Sequence, residues 1–281
     1  MNPEDVRPLN TLDEVPHVTP AGWGTLRRFT DARIALGRAG HSQPTAPHLA
    51  FQLAHAQARD AVHLPFDAHG VAAGVQALGL DVIHLHSAAA DRATYLQRPD
   101  LGRRLDDASR ALLQQRQAGP VDLAFVVGDG LSALAIHQNA VPLIEATLQR
   151  LQSDKHPWTL GPVAIVEQAR VAVGDEAGAG LLARCVVVLI GERPGLSSPD
   201  SMGLYLTWAP MPGLTDANRN CISNVRPAGL AIEAAATKLV HLLAAARQGQ
   251  VSGVGLKDHT DDHASALGGA SDPSHNFLLG P

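Results

Sequence analysis

The sequence predicts an α/β fold: a doubly wound, mostly parallel sheet (Rossmann-like), preceded by a mainly helical N-terminal lobe. Three observations predict it. Apolar runs Val121–Val127, Gly161–Val166, Cys185–Ile190 and Gly203–Trp208 are separated, over most of their length, by stretches of helical period. The run Cys185-Val-Val-Val-Leu-Ile190 has no alternation, so both faces of that strand are covered, as in a parallel sheet between helix layers. Gly-rich or charged turns follow the strands, where open α/β sheets place their ligands.

Residues 1–24 carry Pro3, Pro8, Pro16 and Pro20 and form an irregular arm, whose Val6, Leu9, Leu12 and Val18 can dock on a surface. Thr25–Leu36 has the pattern of a short amphipathic helix closed by Gly37-Arg38-Ala39-Gly40. Ser42–Ala61 and residues 67–80 are two further helices, and Asp81–His86 alternates as an edge strand. His84 and His86 share a face of that strand, a solvated one for want of a third ligand nearby. Asp100 caps a helix running to about Gln117. Arg98, Arg103 and Arg104 can clamp an anion, form structural ion pairs or meet another subunit, and the sequence leaves these open.

Beyond residue 120 come the strands already named, a helix over Ser132–Gln152, another opening at Gly174–Gly178, a polar loop over Thr215–Asn224, and a last helix from Gly229 to Gln248. Composition divides the chain into an arm and helical lobe (1–98), an α/β domain (99–256) and a flexible tail (257–281). His259, Asp261, Asp262 and His263 in that tail have the spacing of an adventitious metal binder only.

Bulk properties exclude several classes. Among 281 residues, 45% are apolar, enough for a large core, yet only 4% are aromatic, which leaves few platforms for stacking bases. The net charge of −5 argues against nucleic acid and anionic membranes as partners. No apolar run approaches a membrane span and no signal peptide opens the chain. Cys185 and Cys221 make no disulfide framework, which fits a reducing cytoplasm, and Cys185 is expected as a buried free thiol.

Three loops follow strands and, in a parallel sheet, wall one large ligand. Gly128-Asp-Gly-Leu-Ser132 enters a helix and can offer backbone N–H groups to an anion, although it is neither a G-x-G-x-x-G motif nor a P-loop. It is not a G-x-S-x-G elbow either, which counts against a hydrolase. The second loop carries Arg170 and Val171, and the third is Gly191-Glu-Arg-Pro-Gly195. Cys221 has Arg219 close in sequence, a cation able to lower its pKa, but no histidine is placed to partner it. It is expected as a structural or ligand-contacting thiol, and no complete catalytic constellation is present.

Six motifs occur in order: Thr30-Asp-Ala-Arg-Ile-Ala-Leu-Gly-Arg-Ala-Gly40, Tyr95-Leu-Gln-Arg-Pro-Asp-Leu-Gly-Arg-Arg-Leu105, Gly128-Asp-Gly-Leu-Ser132, Gly191-Glu-Arg-Pro-Gly-Leu196, Asn220-Cys-Ile-Ser-Asn224 and Ile232-Glu-Ala-Ala-Ala236. With them, over about residues 25–255, the chain resembles the small subunit of ethanolamine ammonia-lyase. The resemblance implies a subunit of an adenosylcobalamin-dependent lyase that turns ethanolamine into acetaldehyde and ammonia by a radical mechanism. It implies that the substrate site lies in a TIM-barrel large subunit, against which this chain holds cobalamin, supplying orientation and water exclusion. The cofactor-contacting positions it implies are Val171, Glu192 and Cys221, with no catalytic residue and no metal ligand here. The histidine-on motif D-x-H-x-x-G is broken: Asp154-Lys-His156 begins it, but Thr159 holds the glycine position. The resemblance therefore implies base-on binding. Many relatives carry a longer amphipathic N-terminal segment for loading into a bacterial microcompartment, and the short proline-rich N-terminus here departs from that pattern. The competing reading of the residues alone is a stand-alone α/β protein binding a nucleotide or phosphate at Gly128–Ser132.

Overall fold

A computed structural model describes residues 17–153 and 156–256. They fall into two compact units: the described residues up to Arg59 together with Gly195–Ser197, and Asp60–Pro194 with the residues from Ser198 onward. This division differs from the compositional boundary at residue 98, because a strand at residues 82–86 already belongs to the sheet. The expected tail over 257–281, with its His and Asp cluster, lies outside the described residues, as does most of the proline-rich arm.

The first unit has little core. Gly24–Phe29 is a short 3-10 helix with no buried residue, and Thr30 after it is extended. The amphipathic helix expected over Thr25–Leu36 does not form, because its apolar positions find nothing to pack on. Thr19 and Arg38 instead exchange backbone hydrogen bonds of 2.7 and 2.9 Å. Arg33 gathers the 195–197 segment by donating to Leu196 O and Ser197 Oγ. Helix α1 (Thr45–His63) follows Pro44. Within residues 17–59 only Pro44 and Ala54 are buried, while Trp23, Phe29, Leu49 and Leu53 are each more than half exposed.

The second unit is built on a six-stranded sheet of order β1-β3-β2-β4-β5-β6. Its strands are β1 (Val82–His86), β2 (Val121–Gly128), β3 (Val163–Glu167), β4 (Ala183–Gly191), β5 (Met202–Trp208) and β6 (Arg219–Val225). β1, β3, β2 and β4 are parallel; β5 is antiparallel to both β4 and β6, so β6 runs the same way as the first four. The chain thus has the mixed, mostly parallel α/β sheet expected. The connection from β4 to β5 holds no helix, and a short link can only reverse direction. β1 is the edge strand expected, and β4 lies between β2 and β5.

Helices are α2 (Ala68–Ala77), α3 (Arg92–Gln97), α4 (Asp107–Gln114), α5 (Ala133–Leu151), α6 (Val173–Gly180) and α7 (Ile232–Gly249). α2, α5 and α7 pack on Leu123, Phe125, Val127, Cys185, Val187 and Leu189. α4 and α6 pack on Ala124, Val126, Val186, Val188 and Ile190. Both faces of β4 are therefore covered, which is why its sequence shows no alternation. Cys185 is free and fully buried, and burial pushes its thiol well up.

Two expectations need correction. The helix expected from Asp100 starts instead at Asp107, where the side chain of Asp106 accepts from Ser109 N. Asp100 is engaged by Arg98 at 2.8 and 3.0 Å, and Arg104 is extended. Arg98 is thus one side of an exposed ion pair, the structural option of the three left open. The polar loop expected over Thr215–Asn224 is mostly strand β6. Its polarity misleads because one of its buried side chains is Arg219, which is neutralised by Asp175 on α6. Among the described residues, no group of three or more His, Cys, Asp or Glu is placed to hold a metal, and His84 instead faces the ring of His69. No described helix is long and apolar enough to cross a membrane.

Candidate cofactor-binding edge

Since β2, β3 and β4 are parallel, the turns after Gly128, Glu167 and Gly191 all leave the same edge of the sheet. β5 starts at this edge, with Met202 opposite Gly191, and β6 ends there, with Val225 opposite Met202. The three loops expected to converge do so, together with the end of β6.

Glu192 is half-buried and turns back over the start of β5. Its backbone N–H donates to Ser201 O at 2.9 Å. Its Oε2 accepts from Ser201 Oγ at 2.5 Å and from Asn224 N at 3.2 Å. Glycine at 203 permits this, because a Cβ there would stand 3.1 Å from both Glu192 Oε1 and Tyr205 Cε2. Oε1 accepts no hydrogen bond from the described residues, so one carboxylate oxygen is left for an outside donor.

Cys221 lies directly across from Tyr205 on β5. The two side chains affect each other's titration, and burial pushes the tyrosine's own pKa well up. Cys221 has exposed surface, yet the protein packed around it raises its pKa, with Glu192 and Asp216 adding to the rise and Tyr205 opposing it. Arg219 does not lower the pKa as its nearness in sequence suggested, because its guanidinium is buried against Asp175 at 2.7 Å. A thiol held protonated is a packing and weak hydrogen-bonding group rather than a nucleophile or metal ligand.

Val171 is half-buried just before α6 and packs on the same apolar cluster as Tyr205. Tyr205 thus lies opposite Cys221, its ring borders Gly203 as does the Glu192 carboxylate, and Val171 packs on the same cluster as Tyr205 from the neighbouring loop. Tyr205 and Ser201 were missed by sequence reasoning. Their placement depends on the register of β5 against β4 and β6, which has no local signature.

The Gly128–Ser132 turn is not an open anion receptacle. Gly130 N donates to Asp129 Oδ1, Leu131 N to Gly191 O, Ser132 N to Asp129 O, and Ala135 N to Ser132 Oγ. Gly128, Asp129, Gly130 and Ser132 are buried. With these four amides engaged and most of the turn buried, it presents no open cradle for a phosphate.

Residues 20–257 match the family model for the ethanolamine ammonia-lyase light chain (EutC). The chain belongs to that family. As a member it is a lyase subunit. It is 60% identical over 271 residues to the ethanolamine ammonia-lyase small subunit of Ralstonia nicotianae, covering 95% of this chain and 98% of that protein. To the small subunit of Azotobacter vinelandii it is 58% identical over 261 residues, 92% of this chain and 95% of that one. To that of Pseudomonas syringae pv. tomato it is 54% identical over 281 residues, 97% and 96% of the two chains.

Proposed function

We propose that this chain serves as the small subunit of an adenosylcobalamin-dependent ethanolamine ammonia-lyase, holding base-on cobalamin at the carboxyl edge of its sheet against a large barrel subunit. The observation that carries the reading is the grouping of Glu192 at that edge with Tyr205 and Cys221 inward of it on β5 and β6, and Val171 in the neighbouring loop. The donor set fits the cofactor. Glu192 Oε1 can accept from an amide N–H of the corrin periphery, Val171 offers an apolar contact, and Cys221, kept as a thiol, packs without ligating cobalt. Bound adenosylcobalamin would supply the radical chemistry, and this chain would orient it and keep water away. On this reading the sheet is a doubly wound, Rossmann-like one in which β5 alone runs against the other strands. The bare first unit, with Trp23, Phe29, Leu49 and Leu53 exposed and almost nothing buried, supports obligate assembly with a partner.

The test is co-expression with the candidate large subunit and an anaerobic assay with adenosylcobalamin and ethanolamine. Ammonia release is expected only when both chains and the cofactor are present. A stable complex that releases none points to another substrate, and failure of the chains to associate removes the subunit reading. In the assembled enzyme, Glu192→Ala is expected to weaken cobalamin binding by about tenfold, the loss of one hydrogen bond to a charged acceptor. Circular dichroism should report an intact fold. Unaltered cofactor affinity would take Glu192 out of the site.

A further inference from the structure

Val171 and Glu192 sit on different loops, and what holds those loops in mutual register is a buried carboxylate outside the proposed cofactor contacts. Asp129 opens the turn after β2 and is 2% exposed. Its Oδ1 accepts from Ala169 N at 2.9 Å, which fastens the loop that carries Val171. The same oxygen accepts from Gly130 N at 3.1 Å. Its Oδ2 faces Arg92 Nη1 at 3.2 Å, and that nitrogen also donates to Gly130 O at 2.8 Å. Arg92 is in turn stacked over the ring of Tyr95, whose other guanidinium neighbour is Arg170 and whose hydroxyl donates to Ala169 O at 3.0 Å.

The far side of the turn is fastened to the Glu192 loop. Leu131 N donates to Gly191 O at 2.9 Å, and Ser132 Oγ donates to Pro199 O at 2.7 Å. Gln168, just before Ala169, stands at φ +55°, a backbone conformation that a non-glycine residue keeps only when its surroundings hold it. The next peptide N–H is the one bound by Asp129. Burial pushes the Asp129 carboxyl up to about 6, against the opposing pull of the Ala169 N–H and Arg92, so this carboxylate is costly to keep buried.

We infer that Asp129 is a positioning residue: it locks the Val171 loop to the Glu192 loop through the 129–132 turn and so sets the shape of the cobalamin-binding edge. The inference rests on the function proposed above. It does not place Asp129 in contact with the cofactor.

The test uses the complex of this chain with the large subunit, titrated with hydroxocobalamin and followed by absorbance. Asp129→Asn is expected to raise the dissociation constant about tenfold or more, because a buried acceptor that faced a cation becomes a donor. The control is Asp122→Asn. Asp122 lies at the opposite end of the same strand, accepts from Thr159 N at 3.0 Å and faces Arg247 at 3.2 Å and Arg184 at 3.4 Å, so it is a similar network away from the edge. It should lower the melting temperature and leave hydroxocobalamin affinity unchanged. In turnover, Asp129→Asn should raise the apparent KM for adenosylcobalamin while leaving that for ethanolamine in place. If Asp129→Asn fails to assemble, Arg92→Met, which keeps both N–H bonds to the carboxylate, should shift affinity in the same direction. Equal affinities for the wild type and for whichever of these two variants assembles would overturn the inference. A wild-type complex that binds no hydroxocobalamin would instead sink the function on which it rests.

Discussion

Replacing Arg219 with methionine is expected to cost about 3–5 kcal/mol of stability, because it strands a buried carboxylate. Arg219 opens β6 with its side chain 2% exposed, and Asp175 in the first turn of α6 is 4% exposed, with 2.7 Å between them. Arg219 also donates to Thr215 O at 2.9 Å. This contact therefore ties the outermost strand to a helix on one face of the sheet. Burial pushes the Asp175 carboxyl up to about 6, with Arg219 opposing the rise. Taking Arg219 away removes the opposing pull and raises that pKa further. An acid whose folded pKa lies above its unfolded value weakens the fold only where it must be ionised. The penalty is absent below the unfolded value, grows as pH climbs through the folded one, and is complete above it. The variant should therefore be hurt most at pH 8, and its deficit should shrink at pH 5, where Asp175 can take a proton. Urea denaturation at both values measures this. Equal losses at the two pH values would show that Asp175 is not the group left stranded. Adding Asp175→Leu to Arg219→Met should recover much of the loss, since a pair replaced by apolar groups no longer contains a buried charge.

The same pair explains where the sequence could be followed and where it could not. β2 and β4 were legible because burial on both faces leaves unbroken apolar runs, and once they are parallel the loops after them must share an edge. β6 was not legible. Its buried Arg219 looks like a loop residue until Asp175, 44 positions earlier, is brought beside it. The start of α4 was misplaced because Asp100 and Asp106 are equally good caps by type, and only the local geometry shows that Arg98, two residues earlier, occupies the first while the second caps Ser109 N. The reversal at β5 had a signal in the helix-free connection after β4, although strand composition says nothing about direction. At the candidate site, Val171, Glu192 and Cys221 rested on a family resemblance. Tyr205, directly opposite Cys221, depends on strand register, and Asp129 on a loop some 40 residues away.

Gly191→Ala is expected to cost about 3 kcal/mol or more, at the upper end for an overpacked position. A Cβ on Gly191 would stand 2.1 Å from Ser132 O and 2.5 Å from Asp129 O. Both obstacles are main chain in a buried turn, so no rotamer change relieves the clash. The turn itself must move, and the hydrogen bond from Leu131 N to Gly191 O moves with it. Two controls separate the causes. Gly22 has nothing within 4 Å and no left-handed backbone, so its alanine variant should be near neutral. Gly40 has open space but φ +61°, so its alanine variant should cost only the backbone penalty, about 1 kcal/mol. Thermal melts of the three variants should rank Gly22→Ala, Gly40→Ala and Gly191→Ala in rising order of damage. A Gly191→Ala variant that melts with Gly40→Ala would mean that the turn yields easily. It would then be too soft to hold one loop against another, and the rigidity asked of Asp129 would fail with it. If the ranking holds, cofactor affinity in the assembled enzyme should fall in Gly191→Ala alone of the three. Glu192 is its immediate neighbour, and displacing the turn displaces the carboxylate that the proposed site presents.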